Sequence, residues 1–335
     1  MTVTAVAGLL GGCGGPASTL APQGLGAERI ATLTWVLFAV GAAVYLLVLG
    51  VLWYAVARRR PPGDPRPLSE GDDRPGPVDR RARTAVILGG VVLPLLVIPV
   101  LFVVSVRTLG QLVGEPRSGL VVEVFAQQYW WELRYRGPNG GETVTTANEL
   151  HVPVGRTVEV RLHSIDVIHS FWVPTLQGKL DAIPGKTNVT WIRAERAGAF
   201  PGQCAEYCGM QHALMRLLVV AQPDEEFGRW LRDQARPAAA PSDPRARRGA
   251  ELFLVHCSRC HAIRGTPAFF GLGGPDLTHV ASRRTLAAGT LPNVKGNLAG
   301  WIADPQTLKP GNRMPRIPLP ADDLHAVLEY VGGLR

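Results

Sequence analysis

Two long apolar segments constrain this chain more than any other feature of its sequence. Residues 30–57 and 84–106 carry no charged side chain and are rich in Leu, Val and Ala. Each is at least as long as the roughly 20 residues that an α-helix needs to cross the hydrocarbon core of a bilayer. Either segment alone could be a buried core helix, but two of them on either side of a polar loop favour a transmembrane hairpin, which we place at residues 30–109.

The polar loop predicts how this hairpin is oriented. Residues 58–83 contain eight arginines, namely Arg58, Arg59, Arg60, Arg66, Arg74, Arg80, Arg81 and Arg83. Short loops rich in arginine stay on the cytoplasmic side of a membrane. The N-terminus and everything after the second segment are therefore predicted to lie on the outer side of a bacterial cell membrane. The net charge of +8 is partly this topological signal, so it does not indicate nucleic-acid binding.

The first residues resemble a lipoprotein signal. Leu10-Gly11-Gly12-Cys13 is similar to the bacterial lipobox, in which the cysteine becomes the lipidated N-terminus of the mature protein. We therefore predict a signal segment at residues 1–12 and an outer N-terminal segment at 13–29. The alternative is that Cys13 is a free thiol, because residues 1–12 lack the positive charge of an ordinary signal peptide.

After the hairpin the pattern changes to short β-rich runs separated by Gly, Pro and Asn. Such a pattern predicts an antiparallel sandwich or barrel, at residues 110–223. The runs are residues 120–125, 130–135, 150–153, 157–162, 187–193 and 215–221. A short helix at 224–234 and a Pro/Ala-rich linker, together residues 224–244, lead to a C-terminal all-α domain at 245–335, with helices predicted at 247–256 and 321–332.

The C-terminal domain contains a haem-attachment motif, Cys257-Ser-Arg-Cys260-His261. Two thiols at this spacing can form thioether bonds to a haem c, and the adjacent histidine can bind the iron; a zinc or redox CxxC is the alternative. Met314 is the only methionine after this motif, and Met/His ligation suits an electron carrier. The other candidates for the second axial ligand are His256, His279 and His325.

The same domain resembles class I cytochromes c over residues 245–335. Residues 274–277 (Gly-Pro-Asp-Leu) are similar to the family's segment whose proline carbonyl receives the haem histidine's second N–H, and residues 301–305 and 309–315 are similar to its closing half. The resemblance also implies Met314 as the axial ligand. An iron with both axial positions filled has no open site for catalysis, so electron transfer is expected.

The β-rich domain carries a second cluster of metal-binding residues just before its last predicted strand. Within twelve residues lie Cys204, Cys208, His212 and Met215. Thiolate and thioether ligands beside imidazole select copper over harder metals. A disulfide or a zinc site is the alternative, but neither explains the methionine. One more imidazole is needed, and the residues alone leave His151, His163 and His169 open.

The cluster reads Cys-x-Glu-x-Cys-x-x-x-His-x-x-Met, and this resembles the dinuclear copper (CuA) loop of subunit II of the haem–copper cytochrome c oxidases. Residues 166–174 are similar to the segment that supplies the remaining histidine, His169. The resemblance implies a cupredoxin-like sandwich in which Cys204 and Cys208 bridge both coppers. His169 and Met215 complete one copper, and His212 and the main-chain carbonyl of Glu206 complete the other. The Glu206 carboxylate would face a magnesium ion shared with subunit I.

In two places the chain departs from the family's pattern. Tyr129 stands where the family has a tryptophan that admits electrons to copper, so Tyr129, Trp130 and Trp131 are all candidates for this role. The second apolar segment lacks the acidic residue that the family often has near a proton channel, so we predict no proton-uptake role for this chain.

A subunit II fused to a cytochrome c resembles the caa3-type oxidases. The implied function is electron input to a respiratory, proton-pumping cytochrome c oxidase, from cytochrome c or another membrane donor through haem c and CuA to subunit I. Subunit I would hold haem a, haem a3 and CuB and reduce oxygen, with subunit III as a further partner. The alternatives are a CuA-containing nitric oxide reductase and a copper-delivery lipoprotein, which would have a thioredoxin-like domain.

Overall fold

The computed structural model describes residues 15–57, 80–114, 119–137, 142–269, 271 and 273–335. Cys13 and the arginines at 58–74 lie outside these residues, so lipidation and the loop's role stay predictions. The described residues form two compact units, one made of residues 29–114 and the other of the rest.

Both predicted membrane segments are helical and extend beyond the predicted limits. Helix α1 spans Leu25–Ala57. The second segment consists of α2 (Arg80–Ile87), a π-helical turn (Leu88–Val92) and α3 (Leu93–Val113). The wide turn contains two glycines and ends two residues before a proline at position 94, which cannot donate a main-chain hydrogen bond. Both helices are long and apolar enough to cross a membrane.

The β-rich domain is a sandwich of two five-stranded sheets. The first sheet has the order β3-β2-β1-β5-β8 and the second β4-β10-β9-β6-β7. The strands are β1 Val121–Gln127, β2 Trp130–Arg136, β3 Glu142–Ala147, β4 Glu149–Pro153, β5 Val158–Ser164, β6 His169–Trp172, β7 Leu180–Ala182, β8 Asn188–Ile192, β9 Gly198–Cys204 and β10 Arg216–Gln222. All six predicted runs are strands, and β3, β6, β7 and β9 are additional to them.

The expected purely antiparallel arrangement is wrong for two pairs of strands. β1 pairs with β5 and β4 pairs with β10 in parallel. The chain leaves β1 through β2 and β3, enters the other sheet at β4, and returns at β5 to lie beside β1 in the same direction. Side chains alternate along β1, where Val122, Val124 and Ala126 are buried between the sheets.

The C-terminal domain is helical, as predicted. After α4 (Asp224–Gln234) and the linker, it contains α5 (Pro244–His256), α6 (Lys295–Ala303), α7 (Pro305–Leu308) and α8 (Ala321–Gly332), with a two-stranded ribbon of β11 (Thr285–Leu286) and β12 (Leu291–Pro292). Helices α5 and α8 cross closely at Gly249, where an added Cβ would lie 2.0 Å from the carbonyl oxygen of Ala326. Phe253 and Tyr330 pack edge to face beside this crossing.

The β sandwich and the helical domain share a bonded interface. The main-chain N–H and the hydroxyl of Thr285 both donate to the buried carboxylate of Glu149, at 2.7 and 3.1 Å. The Arg216 N–H donates to the carbonyl of Ala288 at 3.1 Å. On the sandwich side, Arg216 directly follows Met215, one of the predicted metal ligands, so the interface lies beside a candidate metal centre.

Candidate copper and haem centres

The predicted copper ligands lie at the ends of three neighbouring strands. His169 begins β6, Cys204 ends β9, and Met215 immediately precedes β10. β9 pairs with both β6 and β10, so these three ends are adjacent in the sheet. Cys208 and His212 lie in the loop that joins β9 to β10. The sheet therefore brings together ligands that are up to 46 residues apart in the sequence.

The sulfur atoms are close but not covalently joined. Cys204 Sγ and Cys208 Sγ are 3.8 Å apart and both thiols are free. Met215 Sδ lies 3.8 Å from Cys208 Sγ and is fully buried. The structure thus contains no disulfide between the two cysteines, which was one of the alternatives, and it places a thioether beside the thiol pair.

Nitrogen and oxygen donors complete the cluster. His169 Nδ1 lies 3.9 Å from Cys204 Sγ, and His212 Nδ1 lies 3.7 Å from Cys208 Sγ. The main-chain oxygen of Glu206 is 3.2 Å from Cys204 Sγ, whereas the Glu206 side chain is exposed. All six residues implied by the resemblance therefore meet at one place, and this donor set of two thiols, two imidazoles, a thioether and a carbonyl suits a pair of copper ions.

The two other candidate histidines lie elsewhere. His151 Nδ1 is 2.8 Å from the Gln222 side-chain oxygen, and its ring stacks on Trp230. The ring of His163 stacks on Phe125. Both positions are explained by packing, so His169 is the histidine that the fold adds to the cluster.

The two thiols of the cluster have pKa values that are shifted in opposite directions, so that one of them is the thiolate that binds a metal. The pKa of Cys204 is lowered, chiefly because Cys208 donates a hydrogen bond to it, with further bonds from His169 and the main chain. The pKa of Cys208 is raised by the same neighbour and by burial. One thiolate thus shares the proton of the other thiol, and metal binding displaces that proton.

Asp166 orients the copper histidine. Its Oδ1 lies 2.8 Å from His169 Nε2 and accepts a hydrogen bond from Val167 N, and its Oδ2 accepts one from Gln128 N at 2.8 Å. Burial acts to raise the pKa of Asp166, but the hydrogen bonds outweigh it and the pKa is lowered. A carboxylate on Nε2 leaves Nδ1, the nitrogen that faces the cysteines, free to bind a metal.

The haem motif follows α5 and opens onto a cavity that Met314 also lines. Cys257, Cys260 and His261 all contribute to its wall. His261 Nδ1 is 2.9 Å from the carbonyl oxygen of Pro275, a contact that fixes the ring and leaves Nε2 as the nitrogen that would bind an iron. Burial lowers the pKa of His261 and so favours the neutral imidazole that binds metals. A Cβ on Gly274 would lie 2.7 Å from the His261 ring, so only glycine fits there.

The cavity suits a haem in its polar contacts as well. Arg283 lines it, and the guanidinium donates to the main-chain oxygen of Asp276. The Nε of Arg283 is shielded from solvent and has no hydrogen-bond partner among the described residues. A haem carries carboxylate substituents, and one of these could accept the hydrogen bond that the Arg283 Nε–H does not make among the described residues.

Of the alternative axial ligands, two lie away from this wall. His279 is buried with its Nε2 2.9 Å from the Arg236 carbonyl, and His325 is exposed on α8. His256, the last residue of α5, does line the cavity. Met314 is held in place by two main-chain contacts: its N–H donates to the Asn312 side chain at 2.7 Å and its carbonyl accepts from the Gln306 side chain at 2.7 Å.

The candidate electron-accepting aromatics lie on two sides of the same strand end. Tyr129 and Trp130 line the haem cavity although they belong to the β sandwich. The Tyr129 hydroxyl accepts a hydrogen bond from Met210 N, in the copper loop, at 3.1 Å. Trp131 is buried on the other side, with its ring centroid 6.2 Å from that of His169.

Two functional contacts at this place were not predicted. Gln128 lines the haem cavity, and its side-chain amide donates to the Cys208 carbonyl at 2.6 Å. Lys309 is buried between the two domains. Gln128 directly precedes the aromatic run at 129–131, and this position in the sequence could have marked it as part of the site. No sequence signal marks Lys309 as buried.

The chain matches two families and full-length relatives. Residues 138–222 match the family described as "Cytochrome C oxidase subunit II, periplasmic domain", and residues 246–335 match "Cytochrome c". Relatives named "Cytochrome c oxidase subunit 2" include one from Alkalihalophilus pseudofirmus, 33% identical over 95% of this chain and 91% of its own length. Another, from Bacillus subtilis, is 32% identical over 98% of this chain and 94% of its own length.

Among solved structures, the periplasmic domain of subunit II of cytochrome oxidase from Bradyrhizobium japonicum is 33% identical. The alignment with this structure covers 36% of this chain and 95% of the solved domain, with a TM-score of 0.33. The two relatives are similar to this chain over nearly its whole length, and the structure contains both the copper-ligand cluster and the haem cavity. The chain therefore belongs to the cytochrome c oxidase subunit II family, carries a C-terminal cytochrome c domain, and is a subunit of a haem–copper oxidoreductase.

Proposed function

We propose that this chain is the electron-input subunit of a respiratory cytochrome c oxidase, receiving electrons from cytochrome c or another membrane donor and delivering them to subunit I. When bound, haem c and CuA each take up and release one electron with little change in their surroundings. One observation carries the proposal: Gln128 and Tyr129 line the haem cavity and also bond to the copper loop.

The chain's own residues supply the rest of this function. Cys257 and Cys260 would attach the haem, and His261 and Met314 would bind its iron. With both iron ligands supplied from within one domain, this haem would serve electron transfer, and oxygen reduction would belong to subunit I. Tyr129 is our choice among the three aromatic candidates, since it contacts both the haem cavity and the copper loop.

The copper residues are assigned as the resemblance implies. Cys204 and Cys208 would hold two copper ions between them, with His169 and Met215 on one ion and His212 and the Glu206 carbonyl on the other. The exposed carboxylate of Glu206 is then available for a magnesium ion shared with subunit I.

The membrane arrangement follows from the two apolar helices and the arginine loop. A hairpin with its loop in the cytoplasm places both metal domains on the outer side of the bacterial membrane, where a donor reaches them. The copper-delivery alternative required a thioredoxin-like α/β domain, and the all-β sandwich contradicts it.

The proposal is tested on the full chain in detergent after haem attachment and copper loading. We expect a low-spin haem c spectrum with a Met–iron band, and a copper EPR signal in which one unpaired electron is shared by two copper nuclei. Met314→Leu should remove the Met–iron band and leave the copper signal unchanged.

Two methionines of the copper loop give a matched pair of variants. Met215→Leu should alter the copper signal, whereas Met210→Leu, whose side chain is 73% exposed, should not. A copper signal from a single, isolated ion in the unmodified chain would refute the dinuclear assignment.

A further inference from the structure

A buried lysine joins the two segments that carry the metal ligands. We call residues 208–216 the copper-ligand segment and residues 309–314 the haem-ligand segment. We propose that Lys309 is a positioning residue that fastens the haem-ligand segment to the copper-ligand segment and so fixes the separation of the two metal centres. This inference rests on the proposed function.

The contacts of Lys309 cross the interface between the domains. Its Nζ donates to the carbonyl of Leu214, in the β sandwich, at 2.9 Å and to the carbonyl of Ala287, in the cytochrome domain, at 3.0 Å. Leu214 directly precedes Met215, and Lys309 lies five residues before Met314. One ammonium group therefore connects the main chain beside a copper ligand to the segment that carries a haem ligand.

The burial of this cation needs a reason. Lys309 is 2% exposed, and no carboxylate of the described residues forms an ion pair with it. An ammonium removed from water is unfavourable unless hydrogen bonds replace its hydration. Burial, and repulsion from Arg216, lower the pKa of Lys309 to about 8. A charged side chain kept at such a place specifies one arrangement of its surroundings, because any other arrangement leaves it unpaired.

Other contacts beside Lys309 also join the copper-ligand segment to the haem-ligand segment. The Gln211 side chain donates to the Pro310 carbonyl at 2.5 Å. Gly311 has φ +81° and leaves room for Met210, whose Sδ would be 2.1 Å from a Cβ at that position. The two segments thus lie against each other along their length, with Lys309 at the buried end.

The exposed end is held more weakly. Arg313 donates to the Gln128 side chain and lies 3.7 Å from the Asp166 carboxylate, but its side chain is 62% exposed. Exposed ion pairs contribute little because water competes for both partners. Hydrogen bonds from a buried ammonium are stronger, so we assign the fastening to Lys309.

The interface contains its own reporter of opening. The Arg216 amide donates to the Ala288 carbonyl across the domains, whereas the next-but-one strand amide, Leu218, donates to the Asn148 carbonyl within the β sandwich. Ala288 directly follows Ala287, an acceptor of Lys309, so opening of the domain interface at this place exposes the Arg216 amide to solvent and leaves the Leu218 amide bonded. Hydrogen exchange at these two amides therefore measures the interface apart from the fold of the sandwich.

The test compares Lys309→Met with Lys295→Met in the full chain. Lys295 is the matched control, since its side chain is 71% exposed and pairs with Glu329 on the surface. In Lys309→Met we expect exchange of the Arg216 amide to become at least about tenfold faster, which corresponds to about 1.4 kcal/mol. The Leu218 amide, the Met–iron band and the copper signal should be unchanged, and Lys295→Met should change none of them. The rate of electron transfer from haem to copper should fall with Lys309→Met alone.

Two outcomes overturn the inference. If Arg216 exchange is unchanged in Lys309→Met, the lysine does not hold the interface. If the Met–iron band or the copper signal is lost, Lys309 acts inside one centre, for example on a haem carboxylate. Lys309→Gln, which keeps a donor, should restore part of the protection and covers the case in which the methionine variant does not fold. Amide exchange is independent of electron transfer, so either failure leaves the electron-input function standing.

Discussion

Removing the Asp166 carboxylate should weaken copper binding by an amount that the structure lets us work out. In Asp166→Ala, the Nε2–H of His169 loses its acceptor, which now lies 2.8 Å away. The His169 side chain is fully buried, so water does not readily replace this acceptor. A hydrogen bond to a charged group is worth about 1.5–3 kcal/mol.

Loss of this hydrogen bond should lower the affinity for copper, because the His169 imidazole is then no longer held in the orientation that binds the metal. Partners that orient a metal-binding histidine contribute about 10- to 100-fold in metal affinity, equivalent to about 1.4–2.8 kcal/mol. The two ranges agree, so we expect a drop of this size. Asp166→Asn should lose less copper affinity, since its remaining oxygen can still accept from His169, although the Gln128 N–H then loses its acceptor.

Copper affinity is measured by competition with a chelator on the full chain, following the copper absorption. Asp224→Ala is the control, because that carboxylate is 61% exposed and pairs only with Arg156 among the described salt bridges. Its affinity should equal that of the unmodified chain. Equal affinity in Asp166→Ala would refute the orienting role of this carboxylate.

Three further predictions concern stability. Gly249→Ala forces a Cβ against the Ala326 carbonyl and should lower the thermal stability of the cytochrome domain, followed through its haem absorption, by about 1–3 kcal/mol or more; an unchanged midpoint would contradict the close crossing. Tyr135→Phe removes the hydroxyl that bonds both the N–H and the carbonyl of His151, and should cost about 1–3 kcal/mol in denaturant unfolding of the sandwich; no loss would mean that the strand edge finds other partners. Because the pKa of Lys309 falls from 10.5 to about 8 on folding, the unfolded chain binds more protons between these pH values, so stability should rise with pH there. Unfolding of Lys309→Met should lack this rise, and an equal slope in both chains would contradict it.

Much of the architecture was predictable because it depends on local patterns. The helices at 224–234 and 321–332 have acidic residues in their first turn and have the predicted limits. Strands β6 and β9 were not predicted as such. β6 has only four residues, and β9 contains two glycines and a proline, so neither shows the alternation of a typical strand. Their partners in the sheet, rather than their own composition, make them strands.

The candidate sites show the same division between local and distant information. Residues 204–215 carry their own spacing, so four of the copper donors could be named from it. The Glu206 carbonyl, and the choice of His169 over His151 and His163, needed the resemblance and then the fold. From the sequence, Lys309 is only one member of the segment 309–315 that resembles class I cytochromes c, and this resemblance does not predict that it is buried. Its burial depends on the docking of one domain against another, which no periodicity within either domain can reveal.

The proposed function requires the two metal centres within this chain to exchange an electron directly. This exchange can be measured by reducing the haem of the copper-loaded full chain with a light-activated electron donor and following both absorptions. We expect haem reoxidation and copper reduction to occur together, at a rate that does not change with protein concentration. A rate that rises in proportion to concentration, or a haem that stays reduced while the copper stays oxidised, would contradict it.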